Sequence, residues 1–443
     1  LDYKIVMIIA KIYNPNLTTQ LHSLHPDFNN TPIKTKSTYH LDEKYSEYCM
    51  NNDVILYNIG QDKYLSDRLD SFFPVELLEK IKSKQALLAI DLSEEAFYRF
   101  VDKIYKHIVV EQNIPAEQIL LISHSFDLVQ HIETVSKQYN LPKIKYECYS
   151  FWERVHKKIF LETMKNFGVY TTEQLHNFKS GLYHKTSKKF ICLNNAWREH
   201  RLALLCLLKG NNLIQQGHVS FSLPIPKKNY YTATNKNSKL DKQINLHISK
   251  DIIEENYIKW FDNINTIFNI EELLDGKNLI DDLPMILDNG VFNQLLVWGG
   301  HNHLLKYYRD SYFSVTTETS FFKYIPNNAL THYLYEENDT PIFITEKLFK
   351  SISYKHPFIH CSIEGSLDTV RKLGYKTYDG IIDERYDRES NPNIRLQMIV
   401  KEVNRLCNLK EEELLRFKID SQTIAEYNFN TFLNKENFIY KLI

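Results

Sequence analysis

The feature that most limits the fold is an alternation of short apolar runs with longer amphipathic segments, which occurs twice along the chain. In the N-terminal part, strand-like runs at 5–10, 54–57, 86–90, 119–123 and 143–148 are separated by helical spacing at 75–82, 94–110 and 126–139. Such alternation predicts a mostly parallel sheet with helices on both faces. After a helical stretch at 152–179 and a basic connection at 184–189, the pattern resumes. Strands are expected at 190–193, 312–316, 357–361 and 375–378, and helices at 198–208, 346–353, 367–373 and 393–406, with a further helical stretch near 289–296. A chain of 443 residues exceeds what one hydrophobic core serves. The expectation is therefore two doubly wound α/β domains at 1–175 and 186–420, the second carrying a polar insertion near 222–285, and a C-terminal tail at 421–443. Open sheets of this kind bind ligands at the carboxyl ends of their strands, so cleft chemistry is the default.

Composition removes several alternatives. The formal net charge is −1, which provides no overall basic field for nucleic acid or an anionic membrane. The apolar run Ile5–Ala10 is far shorter than the roughly 20 residues of a membrane span, so no span and a cytoplasmic location are expected. The six cysteines contain no C-x-x-C pair and do not cluster with histidine, which argues against a disulfide framework or a zinc site. Only 12 glycines occur, and none forms G-x-G-x-x-G or a P-loop. A diphosphate, if bound, must be held by side chains and helix N-termini.

Three segments offer such groups. In Ile342-Phe343-Ile344-Thr345-Glu346-Lys347-Leu348-Phe349-Lys350, an apolar run ends at Ile344 and Thr345 suits the N-cap of a helix. Glu346 and Lys347 then lie in the first turn, whose unpaired N–H groups favour phosphate. The same spacing also fits a solvent-exposed ion pair between Glu346 and Lys350, about 0.3–0.5 kcal/mol in value, with Lys347 in water. In Asn194-Asn195-Ala196-Trp197-Arg198-Glu199-His200-Arg201, Asn194 ends a strand, and Arg198 and Arg201 can share one helix face as bidentate phosphate ligands or as a surface cluster. In Ser314-Val315-Thr316-Thr317-Glu318-Thr319, a strand delivers a carboxylate suited to ribose or sugar hydroxyls, or to a turn. Asp379, Asp383, Glu384 and Asp387 form an acidic loop expected to cap the helix beginning near Pro392, and His356 reads as a packed turn residue.

The order of these segments resembles the donor half of the α1,3-fucosyltransferases, which carry Ser-Asn before an Arg-bearing helix, then Phe-Glu-Asn and Thr-Glu-Lys-Leu. It is more similar to glycosyltransferase-like proteins of bacteriophages, giant viruses and some bacteria. That similarity lies in Phe190–Asn194, Thr317-Glu318-Thr319, Phe343–Lys350, His356–Ile359, Leu373–Asp379 and Asp383–Asp387, and spans residues 188 to 405, about half of the chain. The resemblance implies a GT-B fold, two Rossmann-like domains facing a central cleft, and a nucleotide-sugar co-substrate bound with no metal or other cofactor. It implies diphosphate contacts for Lys347 and Arg201, with Arg198 as a second phosphate candidate, and ribose or sugar hydroxyl contacts for Glu346 and Glu318. Asn194, Thr345 and Lys350 complete the donor-binding set. Thr-Glu-Thr replaces Phe-Glu-Asn, and Phe358 follows Pro357 where those enzymes have Val, so the fucosyl donor itself is not carried over.

Independently, no D-x-D occurs in the chain, which removes the metal-binding signature of the other common transferase fold. The expected activity is a hexosyl- or fucosyltransferase-like transfer to a hydroxyl of a glycan, a protein or a modified nucleobase. An inverting reaction requires a general base, for which Asp91, His124 and Glu147 stand at N-terminal-domain strand ends. A different class of reading is a non-catalytic binding or structural protein that keeps the fold.

Overall fold

The computed structural model describes residues 6–11, 55–58, 75–84, 86–91, 98–166, 168–194, 196–224, 250–285, 287, 301–324, 326–330, 340–435 and 439–440. It is a mixed α/β structure with parallel sheets and many helices, of a Rossmann-like kind. The chain divides into two compact units. Unit 1 comprises 1–154, 341–343 and 436–443, and unit 2 comprises 155–340 and 344–435. The cut at Arg154/Val155 falls within one helix, upstream of the connection expected at 175–186. No helix among the described residues is long and apolar enough to cross a membrane.

Unit 1 contains strands β1 (Val6–Lys11), β2 (Ile55–Asn58), β3 (Ala86–Asp91), β4 (Ile119–Ser123) and β5 (Lys145–Tyr149). They pair in parallel in the order β2-β1-β3-β4-β5. Helices α1 (Val75–Lys82), α2 (Tyr98–Lys103), continued by a π-helical turn Ile104–Val110, and α3 (Leu128–Tyr139) supply the cover. Every residue of β4 is buried, which is why this strand reads as an unbroken apolar run. The core joins Leu88, Ile90, Ile119 and Leu121 of the sheet to Val101, Ile104, Ile108, Ile132 and Val135 of the helices.

Unit 2 takes in α4 (Phe151–Asn166) from Val155 onward, then α5 (Thr172–His176), β6 (Phe190–Leu193), α6 (Glu199–Gly210), β7 (Gly217–Ser220), α7 (Lys250–Phe268) and α8 (His301–Arg309). There follow β8 (Phe313–Thr317), α9 (Glu346–Ser353), β9 (Phe358–Cys361), α10 (Ser366–Lys372), α11 (Pro392–Cys407) and α12 (Glu411–Asn434). The strands form one parallel sheet in the order β7-β6-β8-β9. Succession therefore reverses between β6 and β8, the switch point at which doubly wound sheets open a crevice. The β6–β8 ladder runs only from Phe190↔Phe313 to Ile191↔Ser314, and beyond it side chains join the two strand ends.

Several expectations change. The strand expected at 375–378 is absent. Side chains take its main-chain bonds instead: Lys376 N donates to Asn428 Oδ1 (2.8 Å), and Tyr378 N donates to the Glu384 carboxylate (2.6 Å). The segment expected as a tail from 421 begins inside α12, and Ile439–Tyr440 (β10) adds antiparallel to β5 in unit 1. Within the expected insertion, α7 and a 3-10 segment at Glu271–Asp282 pack against α6. The helical stretch near 289–296 lies outside the described residues, as do 225–249 and Cys49. The five described cysteines are buried thiols.

Helix α6 is buried from Glu199 through Leu208, as an apolar sequence without a polar stripe must be. Its contact with the 3-10 segment depends on Gly276, where a Cβ would stand 1.9 Å from the Cys206 carbonyl oxygen. Gly276→Ala is expected to destabilise unit 2 by about 1–3 kcal/mol through overpacking, measured as a lower urea midpoint. An unchanged midpoint would show that the two segments are not in close contact.

Candidate functional site

At the carboxyl end of β8, Glu318 is fully buried. A carboxylate there requires partners, and Thr345 supplies two: its N–H donates to Oε1 (3.1 Å) and its hydroxyl to Oε2 (2.6 Å). Thr345 is also the N-cap of α9, its Oγ1 accepting from Lys347 N at 3.4 Å. One residue thus ties the end of β8 to the start of α9. Lys347 Nζ turns back over this turn, 2.9 Å from Thr345 Oγ1 and 3.2 Å from Glu346 Oε1.

The surface ion pair that spacing allowed between Glu346 and Lys350 is not what forms. Both residues are 8% exposed, and the ion pair of Glu346 is with Lys347, whose side chain is 23% exposed. The apolar stripe Leu348, Phe349 and Ile352 draws α9 into the core, so even its polar residues are covered. Burial raises Glu318 above the usual carboxylate range, with Lys347 and the Thr345 hydrogen bonds acting against it. Burial acts the same way on Glu346, but Lys347 and Lys350 outweigh it and leave that carboxyl below its ordinary value. Lys350 is lowered by burial, with Glu346 opposing.

The main chain after β8 is held by groups from α6. Arg201 Nη2 donates to the carbonyls of Thr317 (3.1 Å) and Glu318 (2.9 Å), and Nη1 donates to that of Ala196 (3.1 Å). Arg201 is 4% exposed. Expected at the diphosphate, it instead braces the backbone that aims Glu318. His200 Nε2 donates to the same Glu318 carbonyl at 3.0 Å. Burial, with Arg201 next in effect, holds His200 well below its ordinary pKa, so the ring is neutral with its proton on Nε2. Asn194 is likewise committed: Thr317 Oγ1 donates to its Oδ1, and its N–H reaches the carbonyl (3.1 Å) and hydroxyl (3.2 Å) of Ser220. It joins the ends of β6, β7 and β8.

Arg198 differs from Arg201. It is the N-cap residue of α6, with extended backbone and no capping bond, and it is half-buried where Arg201 is buried. Of the two arginines, Arg198 is the one whose guanidinium the fold has not committed to backbone.

Two brace residues, His200 and Arg395, escaped the sequence reading. Arg395 on α11 is 2% exposed and donates to the carbonyls of Phe321, Glu389 and Ser390. The Phe321 ring lies 5.2 Å from the His200 ring and 4.4 Å from the Arg395 guanidinium. The available signal was a polar ring or guanidinium between the apolar positions of α6 and α11, which marks groups that must be bonded internally when the helix is buried.

In unit 1, Asp91 and Glu147 occupy one register row, each paired with Ile122 on the intervening β4. Glu147 is half-buried. His124, just past β4, is buried with its ring 4.0 Å from Phe343. In unit 2, His356 is the packed residue expected, bonded to Ser314 Oγ (3.0 Å) and the Tyr308 carbonyl (2.6 Å), with burial lowering it to about 4. The acidic loop caps a different helix from the one expected. Asp387 accepts from Ser366 Oγ (2.9 Å) and Leu367 N (3.2 Å) at the start of α10, while Asn391 caps α11.

No protein-family model matches the chain, and no curated protein does. Among solved structures, the N-terminal domain of Candida albicans trehalose-6-phosphate phosphatase aligns over 96% of this chain and 95% of that one, at 10% identity and a TM-score of 0.36. A likeness of that size carries no argument about function, which rests on the site.

Thr345→Val removes a donor to Glu318 and the cap of α9. A loss of about 1–2 kcal/mol is expected in denaturant unfolding, and Thr345→Ser should restore most of it. A valine variant as stable as the parent would contradict the tie between β8 and α9. Burial raises Asp387 to about 6, with its Leu367 and Ser366 hydrogen bonds opposing. Its folded pKa therefore exceeds the unfolded one, and its stabilising effect is full below the ordinary carboxylate value and lost as pH rises through about 6. Asp387→Asn keeps an acceptor for both bonds. It should gain on the parent by on the order of 2 kcal/mol between pH 4 and pH 7 in urea titrations, and a pH-independent difference would refute the shift.

Proposed function

We propose that the protein is a metal-independent glycosyltransferase of the GT-B type that binds a nucleotide-sugar in unit 2, at the carboxyl ends of β6 and β8. The observation that carries this reading is the position of Thr345-Glu346-Lys347: a capped helix N-terminus bearing a lysine, tied by Thr345 to Glu318 beside the switch point of a doubly wound sheet. In sugar transfer, negative charge builds on the departing nucleoside diphosphate. The N–H groups of α9, Lys347 and Arg198 would meet that charge. Arg201, Asn194 and His200 act through the backbone they hold, Glu318 is buried and held by Thr345 so that it positions the turn, and the carboxylate of Glu346 is suited to hydroxyls of ribose or sugar. The lack of any D-x-D in the sequence agrees with cationic side chains in place of a divalent ion.

In this reading unit 1 supplies the acceptor side, for a glycan, protein or nucleobase hydroxyl. Among its candidate bases, His124 is the least suited, being packed against an aromatic ring. Asp91 and Glu147 stand in one row at the carboxyl half of the sheet, which suits a base better.

The test is thermal denaturation with UDP-, GDP- and CMP-sugars in the presence of EDTA. A ligand at 100 times its Kd should stabilise by about 2.7 kcal/mol, and Lys347→Ala and Arg198→Ala should each lose most of that. Arg201→Ala is expected to lower the melting temperature without ligand, so it is a probe of the brace. If no donor stabilises the parent chain, the transferase reading falls; stabilisation only with Mg²⁺ or Mn²⁺ overturns metal independence.

A further inference from the structure

Lys347 does not stand open toward an incoming anion. Its ammonium has three donors, and two are engaged, by Thr345 Oγ1 at 2.9 Å and Glu346 Oε1 at 3.2 Å. The Glu346 carboxylate is in turn fixed, because the residue is 8% exposed on a helix whose apolar side is in the core. Glu318 lies on the other side of the same turn, its two oxygens accepting from Thr345, so two carboxylates flank the point where Lys347 sits. A phosphate bound there adds negative charge beside two carboxylates, unless the lysine shifts its partnership from Glu346 to the phosphate.

We propose that Glu346 is a built-in competitor for the anion: its carboxylate holds Lys347 in a self-satisfied arrangement that a phosphate group must displace. This rests on the nucleotide-sugar reading above and goes beyond it. A glutamate that served only to bind ribose or sugar hydroxyls would strengthen ligand binding, whereas a competitor weakens the phosphate part of it. The two roles separate with a ligand that has phosphate and no hydroxyl-bearing sugar. Inorganic pyrophosphate is such a ligand.

The experiment is isothermal titration of the full chain with pyrophosphate and, separately, with the nucleoside diphosphate of whichever donor stabilises it, all in EDTA. Glu346→Gln keeps size and hydrogen-bonding capacity but removes the charge. It is expected to tighten pyrophosphate binding about 2- to 5-fold, the upper part of the range that corresponds to releasing one ion pair of about 0.2–1 kcal/mol. The gain must act through Lys347, so Glu346→Gln combined with Lys347→Met should bind pyrophosphate no better than the parent. Glu346→Ala serves as the second variant should the glutamine form fail to fold.

If a folded Glu346 variant binds pyrophosphate equally or more weakly while the parent binds the nucleoside diphosphate, the competitor role is wrong and the nucleotide-sugar reading stands. Should the tightening persist without Lys347, the role assigned to that lysine is wrong and the inference falls with it. If neither parent nor variant binds either compound, the nucleotide-sugar reading itself fails.

Discussion

Unit 2 turns on the pair of hydrogen bonds that Thr345 gives to the Glu318 carboxylate. A buried carboxylate without partners is among the most costly groups a fold can contain. Meeting its demand fixes three things together: the end of β8, the start of α9, and the position of Lys347 above that turn. The other side of Glu318 is equally fixed, because its carbonyl accepts from both Arg201 and His200. Arg395 extends the brace by two further main-chain regions, holding the carbonyls of Phe321 and of Glu389 and Ser390. The result is a polar layer at the carboxyl end of the sheet whose members satisfy one another mainly through backbone.

That division separates arginines which look equivalent in sequence. Arg198 and Arg201 are three positions apart and share a helix face in principle. Arg201 lies within α6, where burial obliges its guanidinium to find internal acceptors, and carbonyls at the end of β8 are within reach. Arg198 has extended backbone at the N-cap and is half-buried, ahead of the turn whose side chains reach those carbonyls. The difference between Arg201, bonded to main chain, and Arg198 therefore follows from one turn of helix.

The parallel strands were legible because strands buried on both faces must be continuously apolar, as Ile119–Ile122 and Phe190–Leu193 are. The N-cap at Thr345 was legible from a threonine placed between an apolar run and a helical stripe. What sequence did not disclose were bonds between distant positions. Nothing near Tyr375 announces that Asn428 and Glu384 will take the main-chain bonds of a strand. Helix α7 has helical apolar spacing in Ile253, Tyr257, Trp260, Ile264 and Phe268, but it follows a polar stretch without periodicity and reads with that stretch as an insertion. The brace role of Arg201 was hidden because two of its three carbonyl acceptors, those of Thr317 and Glu318, are more than a hundred residues away.

The scarcity of glycine gives these features a common cause. A glycine-rich loop presents N–H groups to phosphate without adding charge, so it is stable empty or filled. A chain with 12 glycines and no such loop, if it binds phosphate as proposed, must use charged side chains for the same purpose. Charged side chains near a core need partners before any ligand arrives. Here the partners differ by residue: backbone carbonyls for Arg201, and Glu346 with Thr345 for Lys347. A carbonyl partner makes the cation part of the scaffold, whereas a carboxylate partner leaves it exchangeable, because a phosphate offers the same kind of acceptor with more charge. Lys347, more exposed than the buried residues around it and paired to a carboxylate, is the group at which such exchange is physically easiest.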